Sequence, residues 1–149
     1  MTMGRLVAAL VLTTVVAVSA QSAAAKAMIA EVVRTGSLIV SGVTFDLGQE
    51  QPAAASDAAL GDLRSMLLEH TEWTFEVQVH TDDGETPERD AALSTARARA
   101  VVSWLTRHGI AASRLVPRGM GSTRPRRDAI GGDTSLVHDR VELRKLNEE

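Results

Sequence analysis

Two stretches of the sequence carry side chains suited to binding chemistry. Val79-His80-Thr81-Asp82 closes an alternating run, and Asp90-Ala91-Ala92-Leu93-Ser94-Thr95-Ala96-Arg97-Ala98 lies early in a helical one, with Arg97 following Asp82 by 15 positions. A carboxylate at a strand end accepts N–H donors or an ammonium. A guanidinium grips a carboxylate through two parallel N–H bonds, which a lysine cannot reproduce. Each charge-assisted bond contributes about 1.5–3 kcal/mol, so two such anchors suffice for a reversible grip. Read singly, Asp82 suits equally well a turn residue that accepts backbone bonds. Arg97, read singly, suits a solvated helix residue among Arg89, Arg99 and Arg107.

Other chemistry finds less support. Asp82, Asp83 and Glu85 lack the twelve-residue spacing of an EF-hand calcium loop, and no metal site is assigned. Gly119-x-Gly121 has no third glycine and opens no helix, so it reads as a turn rather than a nucleotide fingerprint. His70, His80, His108 and His138 sit at no metal-ligand spacing, and His70 and His108 suit helix C-termini. No serine lies in a nucleophile elbow, and Asp46 and Glu50 offer no pairing for glycan hydrolysis. The expectation is a protein that is not an enzyme and needs no cofactor. Arg114, Arg118, Arg124, Arg126 and Arg127 form a basic cluster without stacking aromatics, which suits solvated charge or an anionic envelope polymer better than nucleic acid.

The elements that must position these residues follow from periodicity. Ile29 to Val33 and Ser37 to Phe45 are rich in β-branched residues and predict a hairpin or a bent strand around Arg34-Thr35-Gly36. Pro52 suits a first helical turn, and Ala55, Ala59, Leu60, Leu63, Met66 and Leu67 predict a helix up to His70. Trp73 to His80 alternates as a half-buried strand, with one face packed and the other toward solvent or a partner. Pro87 opens a second helix to about His108, with Leu93, Ala96, Ala100 and Trp104 on one stripe and Val101 and Leu105 beside it, and Gly109 ends it. Arg114 to Arg118 predicts a short strand, Gly119 to Ser135 a long loop and Val137 to Leu146 a last strand. The order β-α-β-α-β-β predicts an α/β two-layer sandwich with a mixed sheet and two main helices on one face.

The chain has 149 residues, enough for one domain, with 44% hydrophobic, 3% aromatic and 23% charged residues. It has no cysteine, which removes disulfide scaffolds, thiolate sites and the modified cysteine of a lipoprotein. Arg5 followed by the apolar run Leu6 to Val18, with small residues at Val18-Ser19-Ala20 and Ala23-Ala24-Ala25, predicts a secretory signal over residues 1–25 cleaved after Ala20 or Ala25. The run is shorter than the roughly 20 residues that cross a bilayer, so no membrane span is expected in the mature chain. Removing Arg5 leaves 15 Lys and Arg against 19 Asp and Glu, a net charge of −4, which gives no global pull toward nucleic acid.

Five motifs in order resemble the OmpA-like family of peptidoglycan-binding domains. They are Gly42-Val43-Thr44-Phe45-Asp46, Thr81-Asp82, Leu93-Ser94-Thr95-Ala96-Arg97-Ala98, Arg118-Gly119-Met120-Gly121 with Pro125 behind it, and Asp139-Arg140-Val141-Glu142-Leu143. The resemblance spans Val40 to Arg144 and implies a single OmpA-like domain over residues 26–149, with its core in 40–146. It implies a periplasmic module that holds the diaminopimelate end of the peptidoglycan stem peptide, with the aspartate on the ammonium and the arginine on the carboxylate. The implied ligand-binding residues are Asp82, Arg97, Thr81 and Asp90. The chain departs from the family pattern at Val79, Gly84, Asp83, Asp90 and Asp139, and the last three add negative charge near the presumed pocket. Such charge either retunes the pocket or ties Arg97 into an internal salt bridge. The alternative is therefore an envelope interaction protein of the same fold that has lost or retuned its ligand and works through an envelope protein partner.

Overall fold

The computed structural model describes residues 22–123 and 139–147. Residues 1–21 of the predicted export signal, most of the predicted long loop and the start of the last strand at 137 and 138 lie outside the described residues. Helix α1 (Ala23–Thr35) leads into strand β1 (Ser37–Val40), helix α2 (Asp57–Glu69), strand β2 (Phe75–His80), helix α3 (Pro87–Arg107), strand β3 (Leu115–Gly121) and strand β4 (Arg140–Lys145). The sheet is mixed, in the order β1-β4-β2-β3, with β2 parallel to β3 and antiparallel to β4. The predicted α/β sandwich is the observed one, with a third helix added in front.

That helix corrects the first predicted element, because Ile29 to Val33 belongs to α1 and not to a strand. Ser22 caps α1 by accepting the Ala25 N–H at 3.0 Å, and Gly36 closes it in the left-handed conformation with φ of 72°. Ala25 and Val32, two turns apart, are its buried residues, so a helical stripe overrode the β-branched composition. Strand β1 ends at Val40, short of the expected Phe45. Pro52 stands before α2, in an isolated bridge with Phe45, and a 3-10 turn at Ala54–Ser56 opens the helix instead.

Leu38, Val40, Phe75, Val77, Val79, Val141 and Leu143 line one face of the sheet and share a core with Val32, Leu60, Leu63, Met66, Leu67, Val101 and Leu105 of the helices. All three helices thus pack on that face. Strand β2 departs from the half-buried expectation, since Glu76, Gln78 and His80 on its other face are buried too. It is a central strand, and the arginines of its neighbours approach Glu76, Arg118 at 3.2 Å and Arg144 at 3.9 Å. Burial alone would push the Glu76 carboxyl up, but the Gln78 hydrogen bond and these two arginines hold it below its usual value.

Two contacts tie the layers together. Arg114, placed by composition in a basic cluster, is spent on structure. It donates to the carbonyls of Leu67, His70 and Trp73 at 2.8, 2.6 and 2.9 Å and so satisfies the C-terminal end of α2. At the other helix contact, Gly119 of β3 lies where a Cβ would collide with the backbone and hydroxyl of Thr95, so α3 approaches β3 at glycine distance.

Candidate functional site

The parallel pair β2 and β3 ends beside the first turns of α3, and the loop from Thr81 to Thr86 bridges the gap. Thr86 is the N-cap of α3, its hydroxyl accepting the Arg89 N–H at 3.3 Å, and Pro87 follows at the first helical position. Asp90, on the first turn, is buried, and its carboxylate accepts the Gly84 N–H at 2.8 Å. Any side chain at Gly84 would collide with the backbone of Arg89 and Asp90. Asp90 therefore clamps the loop onto the helix. Ser94, one turn on, accepts the Gly121 N–H at 2.9 Å and donates to the Ala91 carbonyl, locking the end of β3 to the same helix.

Arg97, the next residue on this stripe, is completely buried. All five of its N–H donors are engaged. Nε donates to the Gln49 carbonyl at 2.8 Å, Nη1 to Thr81 Oγ1 at 2.8 Å and Asp139 Oδ1 at 3.4 Å, and Nη2 to the Asp46 carbonyl at 3.1 Å and Asp83 Oδ2 at 2.7 Å. The guanidinium also stands 4.7 Å from the centre of the Phe45 ring. The carbonyl contributors come from the loop after β1. That loop is closed by the Phe45–Pro52 bridge and by Ser56, whose hydroxyl accepts the Thr44 N–H and donates to the Thr44 carbonyl.

Three carboxylates gather beside this arginine. One oxygen each of Asp82, Asp83 and Asp139 lies within 4.8 Å of the others, and the group is the one set among the described residues whose ligand atoms approach closely enough to share a cation. Asp82 and Asp139 are exposed residues and Asp83 is half-buried. Burial pushes the Asp139 carboxyl above its usual value, and the charges of Asp83 and Asp82 push the same way. A Thr81 hydrogen bond and Arg97 pull against them without prevailing. Glu85, on the same loop, stands in the left-handed region at φ 66° and meets Arg89 at 3.4 Å. A cleft of about 420 Å³ opens along the end of β1 and the loop after it, with Phe45, Asp139 and Arg140 in its wall.

Of the residues predicted from sequence, Asp82, Thr81 and Arg97 come together here, and Asp90 is turned to the loop. Sequence reasoning missed the carbonyls of Asp46 and Gln49, which no side-chain signal could reveal. It read Asp83 and Asp139 as added charge that either retunes the pocket or ties Arg97 into an internal salt bridge, and both do pair with Arg97, at 2.7 and 3.4 Å. His70 and His108 stand at helix C-termini as expected, stacked on Trp73 and Trp104 with centroid separations of 3.8 Å in both pairs.

Among curated proteins none matches this chain. Among solved structures it resembles the peptidoglycan-associated lipoprotein from Burkholderia pseudomallei, with 22% identity over 76% of this chain and 92% of that one and a TM-score of 0.61. A MotB-like protein from Desulfovibrio vulgaris shows 20% identity, coverage of 89% and 94%, and a TM-score of 0.65. An outer membrane protein from Borrelia burgdorferi B31 shows 20% identity, coverage of 74% and 87%, and a TM-score of 0.58. These likenesses establish the fold. The model of the OmpA family matches residues 44–134, more than half of the chain and the part that holds Thr81, Asp82 and Arg97, so the chain belongs to the OmpA family.

Proposed function

We propose that this chain is a non-catalytic module of the bacterial periplasm that holds peptidoglycan through the diaminopimelate end of its stem peptide. The observation that carries this reading is the pairing of one fully buried guanidinium with a cluster of three carboxylates, one of which, Asp139, lines a cleft. A zwitterionic amino-acid end needs such separated, opposite charges. Arg97 would take the carboxylate through its fork, Asp82 the ammonium, and Thr81 would hold the guanidinium in place, while Asp90 fixes the loop that carries Asp82. The name of the Burkholderia neighbour points to the same polymer.

Export fits the start of α1. Cleavage after Ala20 keeps Ser22, which caps the helix and donates to Asp62 at 2.6 Å, and keeps Ala25 in the core. Cleavage after Ala25 would discard both, so Ala20 is the favoured site. Among the described residues no helix is long and apolar enough to cross a membrane.

One observation favours the second reading, an envelope interaction protein that has lost its ligand: every donor of Arg97 already has an acceptor within the chain. Sedimentation with purified sacculi separates the two. The binding reading predicts retention of the wild type and its loss in Asp82→Ala; a wild type that stays in solution yet co-purifies with one envelope protein supports the second.

A further inference from the structure

We infer that Asp83 is a built-in competitor for Arg97 which makes the pocket accept only ligands bearing both an ammonium and a carboxylate. The inference rests on the binding reading above and adds a selection rule to it.

Three of the five Arg97 donors go to fixed acceptors. Two are the backbone carbonyls of Asp46 and Gln49, and the third is the hydroxyl of the buried Thr81. The other two, one on Nη1 and one on Nη2, go to the carboxylates of Asp139 and Asp83. One donor from each nitrogen is what a single bidentate carboxylate bridges, so the two aspartates stand where a ligand carboxylate would sit. Asp83 is the stronger occupant, at 2.7 Å against 3.4 Å for Asp139. Its side chain retains 14% exposure and lies on the loop leaving β2, which leaves it a path out.

A ligand carboxylate entering alone would push Asp83 off Nη2 and add a fourth negative charge beside Asp82, Asp83 and Asp139, whose oxygens lie within 4.8 Å of one another. Like charges gathered at a partly buried site repel strongly. A ligand that brings an ammonium supplies the missing compensation. Asp83 then passes from the guanidinium to the ammonium in the same step that seats the ligand carboxylate on Arg97. Both ligand charges are thus read together, and carboxylates without an amine are rejected.

The test uses a muropeptide with a free diaminopimelate amine, the same peptide with that amine acetylated, and the neutral variants Asp83→Asn and Asp83→Ser, the second guarding against a local effect of the amide. Calorimetry of the wild type is expected to favour the free-amine peptide. In both variants the acetylated peptide should bind about tenfold more tightly than to the wild type, shrinking that preference by the same factor. Peptide binding with an unchanged preference overturns the inference and leaves the binding reading intact. If the wild type binds neither peptide, the binding reading fails, and acetate becomes the deciding probe, followed at the Arg97 Nε resonance by NMR. Half-saturation at about tenfold lower acetate in the variants supports the competitor role, whereas superimposable curves overturn it.

Discussion

Arg97 Nη2 meets Asp83 Oδ2 at 2.7 Å, and the guanidinium that makes this contact has no exposed surface. Fourteen positions of chain separate the two residues, and the contact joins the loop after β2 to the middle of α3. The same guanidinium reaches the loop after β1 and Asp139 just before β4, so one side chain gathers four segments of the fold.

Arg97→Ala should therefore destabilise the domain by about 3–5 kcal/mol, because it leaves Asp83 and Asp139 without their counter-charge and strips two backbone carbonyls of a donor. Arg97→Lys keeps the charge but cannot serve five acceptors, and should recover less than half of the loss. Urea unfolding with an unchanged m-value is the measurement.

Gly119→Ala should cost about 3 kcal/mol or more, since its Cβ would meet the Thr95 backbone and push α3 off β3. Thermal unfolding checks it, with Gly61→Ala as a control, because a Cβ there meets nothing within 4 Å.

Ser94→Ala should cost about 1–3 kcal/mol by leaving the buried Gly121 N–H without its acceptor. Amide hydrogen exchange at Gly121 should accelerate in the variant, and an unchanged rate would argue against the lock.

Asp139 has a folded pKa raised above its unfolded value. Such an acid costs stability while ionised, and the cost is relieved as pH falls through the folded pKa toward the unfolded one. Asp139→Asn should therefore be more stable than the wild type near pH 7, and the difference should fade as pH drops through the acidic range. Urea midpoints compared across that range give the answer; a gain that persisted at the acid end would contradict it.

Much of this fold was legible because most elements announce themselves by period and punctuation. Pro87 and Gly109 bracket α3 as expected, and Phe75, Val77 and Val79 mark the core face of β2. The first helix was hidden because the β-branched residues in its second half imitate a strand, while only Ala25 and Val32 of its stripe are fully buried. The site was half legible. The predicted apolar stripe of α3 ran through Leu93, Ala96, Ala100 and Trp104, but its first half buries Asp90, Ser94 and Arg97 instead. A hydrophobic pattern cannot find a buried face made of polar residues whose acceptors come from distant loops. The resemblance to the family's motifs singled out Thr81, Asp90 and Arg97, whose polar contacts hydropathy ignores.

The most direct test of the binding reading is a calorimetric titration of the intact domain and its Asp82→Ala variant with a muropeptide ending in free diaminopimelate. Asp82 is exposed, so its removal should leave the fold intact, which circular dichroism verifies. The account predicts saturable binding by the wild type and at least about a tenfold loss in the variant, the weight of one charge-assisted bond. Equal affinity in the two proteins, or no heat from either, would contradict it.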